Sequence, residues 1–282
     1  MRRIFVAVAV LVAAVSSQAQ IKKVVIFGDS LSDVGNTNSV TFGFAPGSGY
    51  WSGRFSNGPV WIERFSTRFH LGSVVRSQAN GWNYAFGGAK TGSGYVSLVI
   101  ANCATQVSRY LSRTSPAATD LFVLWIGGND YLDGATNWTT AINNIGSDIT
   151  RLASAGARLI LVPNLPPLGL IPRYVGGANQ NAMTNLTTGH NAALAARIAL
   201  LRSLYPATTM VLLDIEQKLK DIVMSPQAYG FTNVTSQAMG LSGINPDAYL
   251  FWDDVHPTRR AHELLGQLAG KALAEYMVRT SR

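Results

Sequence analysis

Four short runs of consecutive apolar residues constrain the fold of this chain more than any other feature of its sequence. The runs span 23–27, 121–126, 159–162 and 210–213, and a weaker fifth candidate spans 83–86, just before two glycines. Continuous apolar runs, rather than alternating apolar and polar residues, are typical of parallel strands covered on both faces. The sequence therefore predicts a parallel sheet of about five strands.

Helical patterns lie between these runs. The stretch 139–155 places isoleucines and a leucine on one stripe, and the stretch 261–277 repeats apolar residues at the same helical spacing. Pro257 followed by Thr258 is typical of the entry to the second of these helices. Strands that alternate with helices predict a three-layer α/β/α sandwich around the parallel sheet. Ligands of such sheets bind beyond the carboxyl ends of the strands.

The first nineteen residues have the pattern of a secretory signal peptide. Arg2 and Arg3 precede an apolar run over 4–15, and small and polar residues follow up to Ala19. The run is shorter than the roughly 20 residues that a membrane-spanning helix needs. We therefore predict cleavage after Ala19, a secreted chain without an integral membrane segment, and a single domain over 20–282.

The composition argues against several other classes of protein. The net charge of +8 falls to +6 without Arg2 and Arg3, and the basic residues are dispersed, which favours a solvated surface over nucleic-acid binding. Cys103 is the single cysteine, so no intramolecular disulfide forms. The four histidines lack metal-binding spacing, and no phosphate-binding glycine loop follows a strand. We expect no metal, no cofactor and a monomer.

Two segments at opposite ends of the chain hold a candidate nucleophile and its base. Ser30 directly follows the first strand and a glycine, a position that can expose its hydroxyl at the edge of the sheet. Serine is a weak nucleophile that needs a base, and His256 stands just before the last helix. An aspartate can orient such a histidine, and both Asp253 and Asp254 are candidates at this point.

Two middle segments offer the hydrogen-bond donors that a developing oxyanion requires. The segment 83–89 contains the glycine pair Gly87-Gly88, whose backbone N–H groups lie in a predicted tight turn. The other segment follows the strand that ends at Ile126 and presents the side-chain amide of Asn129. Singly, such glycines are ordinary turn residues. Together with a nucleophile and a base, they indicate acyl transfer to serine.

These segments resemble, in order, the sequence blocks of the GDSL/SGNH hydrolases. The matching blocks read Gly-Asp-Ser-Leu, Asn-Tyr-Ala-x-Gly-Gly-Ala, Gly-Gly-Asn-Asp and Asp-x-x-His-Pro, and they lie at 28–31, 83–89, 127–130 and 253–257. The stretches 28–36, 53–58 and 163–169 are similar to the branch of plant GDSL lipases and bacterial secreted lipases and acyltransferases. Val34 departs from the threonine common in that branch.

The resemblance implies the SGNH fold, with a flavodoxin-like sheet, and a role for each matching residue. Ser30 is the expected nucleophile, His256 the general base and acid, and Asp253 the residue that orients the histidine. The implied oxyanion donors are the backbone N–H groups of Ser30 and Gly88 and the side chain of Asn129. Phe86, just before the glycine pair, is expected to contact the acyl chain. Apart from the resemblance, the aromatic stretch 42–51, which ends at Trp51, either forms a sugar- or acyl-binding wall or packs in a loop.

The expected activity is hydrolysis of carboxylic esters through an acyl-enzyme, on short- to medium-chain acyl esters or lipids. The same residues serve a polysaccharide O-acetyl esterase or a lipid acyltransferase, so the partner is an acyl-ester small molecule, a lipid or an acylated glycan. A catalytically silent carbohydrate- or lipid-binding protein on this fold is the alternative outside the enzymes. The sequence leaves the natural substrate and the acyl-chain length open.

Overall fold

The computed structural model describes residues 21–280, which form eight strands and eight helices. The strands are β1 Lys23–Gly28, β2 Tyr95–Val96, β3 Ile100–Ala101, β4 Asp120–Trp125, β5 Leu159–Pro163, β6 Thr209–Leu213, β7 Asn233–Gln237 and β8 Tyr249–Phe251. The helices are α1 Asn36–Val40, α2 Trp61–Arg68, α3 Cys103–Arg113, α4 Gly128–Leu132, α5 Thr139–Ser154, α6 Gln180–Leu204, α7 Ile215–Met224 and α8 Arg259–Thr280. The predicted signal peptide lies outside the described residues. Within 21–280, no helix is long and apolar enough to cross a membrane.

The central sheet is parallel and has the order β1-β4-β5-β6. All four strong apolar runs of the sequence form these strands, with ends within one residue of the predicted ones. The predicted fifth strand is wrong as a strand, because Asn83 makes only isolated parallel bridges, to Ile26 and to Arg76. The N–H of Tyr84 donates to the Ile26 carbonyl, and the N–H of Phe86 donates to the Gly28 carbonyl. The segment therefore runs alongside β1 as far as the glycine pair, where the chain turns.

Two apolar cores on opposite faces of the sheet confirm the three-layer architecture. Alternate residues of a strand point to opposite faces, and on β1 Phe27 belongs to one core while Ile26 belongs to the other. Helices α3, α5 and α6 cover the first face, and α2, α7 and α8 cover the second. Burial on both faces explains why these strands are continuously apolar.

A third apolar cluster lies beyond the carboxyl ends of the central strands. It joins Tyr131 of α4 and Leu165 of the loop after β5 to Phe251 of β8 and Leu264 of α8. Strands β7 and β8 form a small parallel pair within this region. The cluster gives the loop between β8 and α8 a packed base, at the edge where the sequence places its candidate site.

Candidate active site

Ser30 lies in a tight turn that begins where β1 ends. The buried side chain of Gln106 accepts a hydrogen bond from the Gly28 N–H at 2.9 Å and donates one to the Gly28 carbonyl at 2.8 Å. Any side chain at position 28 meets the Trp125 carbonyl oxygen, because a Cβ there lies 2.5 Å from it. The Asp29 carbonyl accepts from the N–H groups of Ser32 and Asp33, which closes the turn. Glycine at 28 is therefore required by close backbone packing.

The buried carboxylate of Asp33 connects the turn of Ser30 to the glycine pair. It accepts hydrogen bonds from the backbone N–H groups of Gly35, Asn36 and Thr37 at 2.7–3.1 Å. It also accepts one from the N–H of Gly87 at 3.0 Å, 54 residues along the chain. Four N–H donors partly compensate the burial of this charge, although burial still raises the pKa of Asp33.

The segment between β8 and α8 brings His256 to Ser30. Nε2 of His256 lies 2.8 Å from Oγ of Ser30, and its Nδ1 lies 2.6 Å from Oδ2 of Asp253. The other oxygen of Asp253 accepts the backbone N–H groups of Val255 and His256 at 2.8 and 2.6 Å. The turn that carries the histidine is therefore folded around the carboxylate that faces it.

The structure also shows which of the two candidate aspartates faces His256. Asp254 points away from the histidine and forms an ion pair with Arg173, with Nε 2.7 Å from Oδ2. Burial raises the pKa of Asp253, but hydrogen bonds from His256 and Tyr50 outweigh that effect and hold it well below its usual range. Asp253 is thus an anion beside the imidazole at neutral pH.

The predicted oxyanion donors lie at the same edge of the sheet. Gly88 has a left-handed backbone with φ of 82°, which a glycine adopts without strain. The amide of Asn129 donates to the Ala89 carbonyl at 2.9 Å, and its second N–H is left for a ligand. Within the described part of the chain, no group accepts the backbone N–H of Ser30 or of Gly88. These donors are free to bind an oxyanion.

A buried histidine supports the loop that presents Asn129. Nδ1 of His190 lies 2.7 Å from the hydroxyl oxygen of Tyr131 on α4, and burial lowers the pKa of His190 to about 4. A Cβ at Gly127 would lie 2.9 Å from this ring, and Gly127 has φ of 124°. The neutral imidazole thus packs directly beneath the turn that leads to Asn129.

The segment 53–58 packs on His256. The sequence indicates this segment only through its resemblance to the family. The ring of Phe55 lies 5.2 Å from that of His256, centroid to centroid. Ser56 donates its hydroxyl proton to the Pro257 carbonyl at 2.8 Å, and Asn57 accepts the N–H of Arg259 at 2.7 Å. Sequence reasoning missed these supports, because their partners lie about 200 positions away and no local pattern connects them.

A narrow apolar cavity opens beside the serine. Ser30 and Asn129 are part of its wall. Its wall continues across the carboxyl ends of the strands to the second helix layer and includes Trp125, Leu132, Leu165, Ile215, Leu219 and Leu265. No local sequence pattern indicates this cavity, since it is assembled from five separate parts of the chain.

The two residues predicted to touch the substrate lie elsewhere. The ring of Phe86 is fully buried in the core on the first face of the sheet, with the guanidinium of Arg109 over it at 5.8 Å. Trp51 is 42% exposed and stacks with Arg54. Neither residue lines the cavity beside Ser30. The geometry therefore gives these two predicted contacts no support.

A serine and a histidine meet here at the carboxyl edge of a parallel α/β sheet. Such a site places the chain in the class of serine ester hydrolases. The chain belongs to the GDSL-like lipase/acylhydrolase family, whose model matches residues 24–269. This match confirms the resemblance inferred from the sequence blocks.

Individual relatives agree with that assignment. The chain is 29% identical to a phosphatidylcholine-sterol acyltransferase of Aeromonas hydrophila over 93% of each protein. It is 25% identical to the GDSL esterase/lipase EXL2 of Arabidopsis thaliana, over 86% of this chain and 85% of that protein. A solved member of the lipolytic G-D-S-L family from Veillonella parvula superposes with a TM-score of 0.52 at 13% identity, over 91% of this chain and 98% of that one. The last comparison confirms the fold.

The buried carboxyl group of Asp29, next to the serine, predicts a pH dependence of stability. Burial raises its pKa from 3.8 to about 7, so the folded protein keeps a proton that the unfolded chain releases. The stability contributed by this group therefore falls as the pH rises from about 4 to about 7. Asparagine mimics the protonated acid at every pH. The free energy of unfolding of Asp29→Asn, relative to that of the wild type, is therefore expected to be about 1–3 kcal/mol larger at pH 8 than at pH 5.

Urea unfolding of both proteins at the two pH values measures this gain. Titrating groups that do not interact with Asp29 are common to the pair and cancel in the difference, whereas His256 and Asp130 interact with it and make a smaller contribution. A difference between variant and wild type that is the same at pH 5 and pH 8 contradicts the assignment of a protonated Asp29.

Proposed function

We propose that this protein is a secreted carboxylic ester hydrolase in which Ser30 is the nucleophile, His256 the general base and Asp253 the residue that orients the base. The observation that carries the proposal is the continuous chain of hydrogen bonds from Oγ of Ser30 through the imidazole to Asp253, at 2.8 and 2.6 Å. A hydrogen bond at Nδ1 leaves Nε2 as the proton acceptor for the serine.

The reaction proceeds in two acyl-transfer steps. Oγ of Ser30 attacks the ester carbonyl carbon while its proton moves to Nε2 of His256, and the carbonyl oxygen becomes an oxyanion. The N–H groups of Ser30 and Gly88 and the amide of Asn129 stabilise that charge. The intermediate collapses, the C–O bond to the alcohol breaks, and His256 returns the proton to the departing oxygen. Water then attacks the acyl-enzyme by the same route and releases the acid.

The substrate class follows from the cavity beside Ser30. Its wall is almost entirely aliphatic and aromatic, so burying a hydrocarbon chain there removes apolar surface from water on both partners. The cavity has a volume of about 40 Å³, so it holds the first carbons of an acyl chain and not a long chain in full. We therefore favour short- to medium-chain acyl esters or lipids, and acetylated glycans are the alternative. The signal-peptide pattern of residues 1–19 supports export of the enzyme.

A second function is acyl transfer to an alcohol. The relative from Aeromonas hydrophila, 29% identical over 93% of both proteins, is named as an acyltransferase. The acyl-enzyme is the same in both reactions, and only the nucleophile of the second step differs, an alcohol instead of water.

Removal of the nucleophile is expected to abolish turnover. Ser30→Ala should lower the hydrolysis of p-nitrophenyl esters by several orders of magnitude, because it removes the hydroxyl that the structure places on Nε2 of His256. A fluorophosphonate probe should add its mass to Ser30 of the wild type and leave the variant unlabelled. Ser108→Ala, on the exposed side of α3, is the matched control and keeps full activity. An unlabelled wild type, or an active Ser30→Ala, rules out the serine mechanism.

Transfer is tested by competition between water and an added alcohol. With p-nitrophenyl butyrate and increasing butanol, an acyltransferase should form butyl butyrate at the expense of butyric acid, in a Ser30-dependent manner. Gas chromatography of the products gives the ratio of the two. Free acid as the single product at every butanol concentration restricts the enzyme to hydrolysis.

The length of the cavity should set the preferred acyl chain. Leu219→Ala removes a buried side chain from the cavity wall on α7, so the optimum in a series from acetyl to palmitoyl esters is expected to move to longer chains. Leu201→Ala on α6 is the matched control, since it is equally buried and lies in the other core. Both changes should destabilise by about 2–5 kcal/mol. An optimum that stays in place in Leu219→Ala, or moves equally in both variants, contradicts an acyl-binding cavity.

A further inference from the structure

Tyr50 makes a hydrogen bond that the four sequence blocks give no reason to expect. Its hydroxyl donates to Oδ2 of Asp253 at 2.6 Å, the same oxygen that faces Nδ1 of His256. Tyr50 comes from the loop between α1 and α2, 203 positions before its partner. The structure places this hydroxyl on the carboxylate behind the histidine.

Four donors surround the carboxylate of Asp253. Two backbone N–H groups of its own turn occupy Oδ1, and the imidazole N–H and the Tyr50 hydroxyl occupy Oδ2. The side chain of Asp253 is 11% exposed, so water contributes little to its solvation. Without Tyr50, Oδ2 would depend on the histidine alone for its orientation and for the stabilisation of its charge.

The tyrosine is itself held in place by its loop. Its ring packs at 6.1 Å from that of Phe55, which in turn lies on His256. The backbone N–H of Trp51 donates to the Ser56 carbonyl at 2.9 Å, while the Ser56 hydroxyl donates to the carbonyl of Pro257. Burial and the hydrogen bond to Asp253 raise the pKa of Tyr50 far above its usual value, so the hydroxyl remains a donor at every working pH.

We propose that Tyr50 is a positioning residue of the active site, whose hydroxyl fixes the Asp253 carboxylate against Nδ1 of His256 and draws part of the negative charge away from that contact. This inference rests on the proposed function, since it assigns Tyr50 to the pair that activates Ser30. It has two separable consequences. The orientation of the imidazole toward Ser30 depends on Tyr50, and so does the pH at which the enzyme loses its free base.

The other ionisable groups near this pair are few. Asp29 lies on the turn of the nucleophile, Asp254 is paired with Arg173, and His262 is buried on α8, where burial lowers its pKa to about 3 and keeps it neutral. Substitution of Tyr50 by phenylalanine changes none of them. A shift of the pH profile in that variant therefore reports on the Tyr50–Asp253 hydrogen bond.

The experiment compares Tyr50→Phe with the wild type on p-nitrophenyl butyrate. We expect kcat to fall on the order of tenfold with KM unchanged within about twofold, as for loss of a hydrogen bond to a charged group that acts only on the catalytic pair. Because Oδ2 would carry more negative charge toward the imidazolium, the acid limb of kcat/KM should move on the order of 0.5 unit to higher pH. Tyr205→Phe, at the far end of α6, is the matched control and changes neither quantity.

A second measurement does not depend on turnover. The Nδ1 proton of His256, hydrogen-bonded to Asp253, should give a low-field proton resonance in the resting enzyme, and Tyr50→Phe should shift it. An unchanged resonance together with an unchanged pH profile overturns the positioning role, even if the variant is less stable. If Ser30 of the wild type is labelled and active while Tyr50→Phe behaves like the wild type, this inference alone is refuted. If no fluorophosphonate labels the wild type, the proposed function is refuted as well.

Discussion

The parallel pairing of β1 with β4 determines where every group of the site can lie. Six consecutive residue pairs bring the end of β1 level with the end of β4, so that Gly28 stands beside Trp125. Ser30 follows the first of these strands by two residues and Asn129 follows the second by four. A shift of the strands relative to each other would separate Ser30 from Asn129, the proposed nucleophile from one of its proposed oxyanion donors. The glycine at 28 protects this register, because a side chain there would collide with the backbone of β4.

Three buried carboxyl groups meet at this edge, and their surroundings give them different charges. Asp253 faces an imidazole, a tyrosine hydroxyl and two N–H groups, and these donors overcome the cost of burial. Asp33 has backbone and hydroxyl-bearing neighbours alone, and burial raises its pKa. Asp29 receives one backbone N–H, and its pKa reaches about 7. Of the three, Asp253 alone is strongly stabilised as an anion, as the proposed mechanism requires of the group beside an imidazolium.

The sequence predicts those parts of this arrangement that depend on neighbours along the chain. The strands are recognisable because burial on both faces makes them continuously apolar, and Ser30 and His256 are recognisable because each stands at the junction of a strand or loop with a helix. Spacing favours Asp253 but does not exclude its neighbour Asp254, which the structure pairs with Arg173 instead. The short segment at Asn83 looked like a strand because its pairing with β1 is real, although it extends over too few residues to form one.

The remaining features require contacts between distant segments. The turn that carries His256 is contacted by three residues some 200 positions earlier in the chain, Tyr50, Phe55 and Ser56. No periodic sequence pattern indicates these contacts. The apolar cavity has the same origin, because its wall combines the ends of several strands with two helices of the second layer. It touches Ser30 and Asn129 but not the segment 50–57 that covers the histidine. Val255 and Pro257, the two neighbours of His256 in the chain, also belong to this wall. Under the proposed function, a substitution in the wall near the histidine would therefore bear on the general base as well as on the acyl chain.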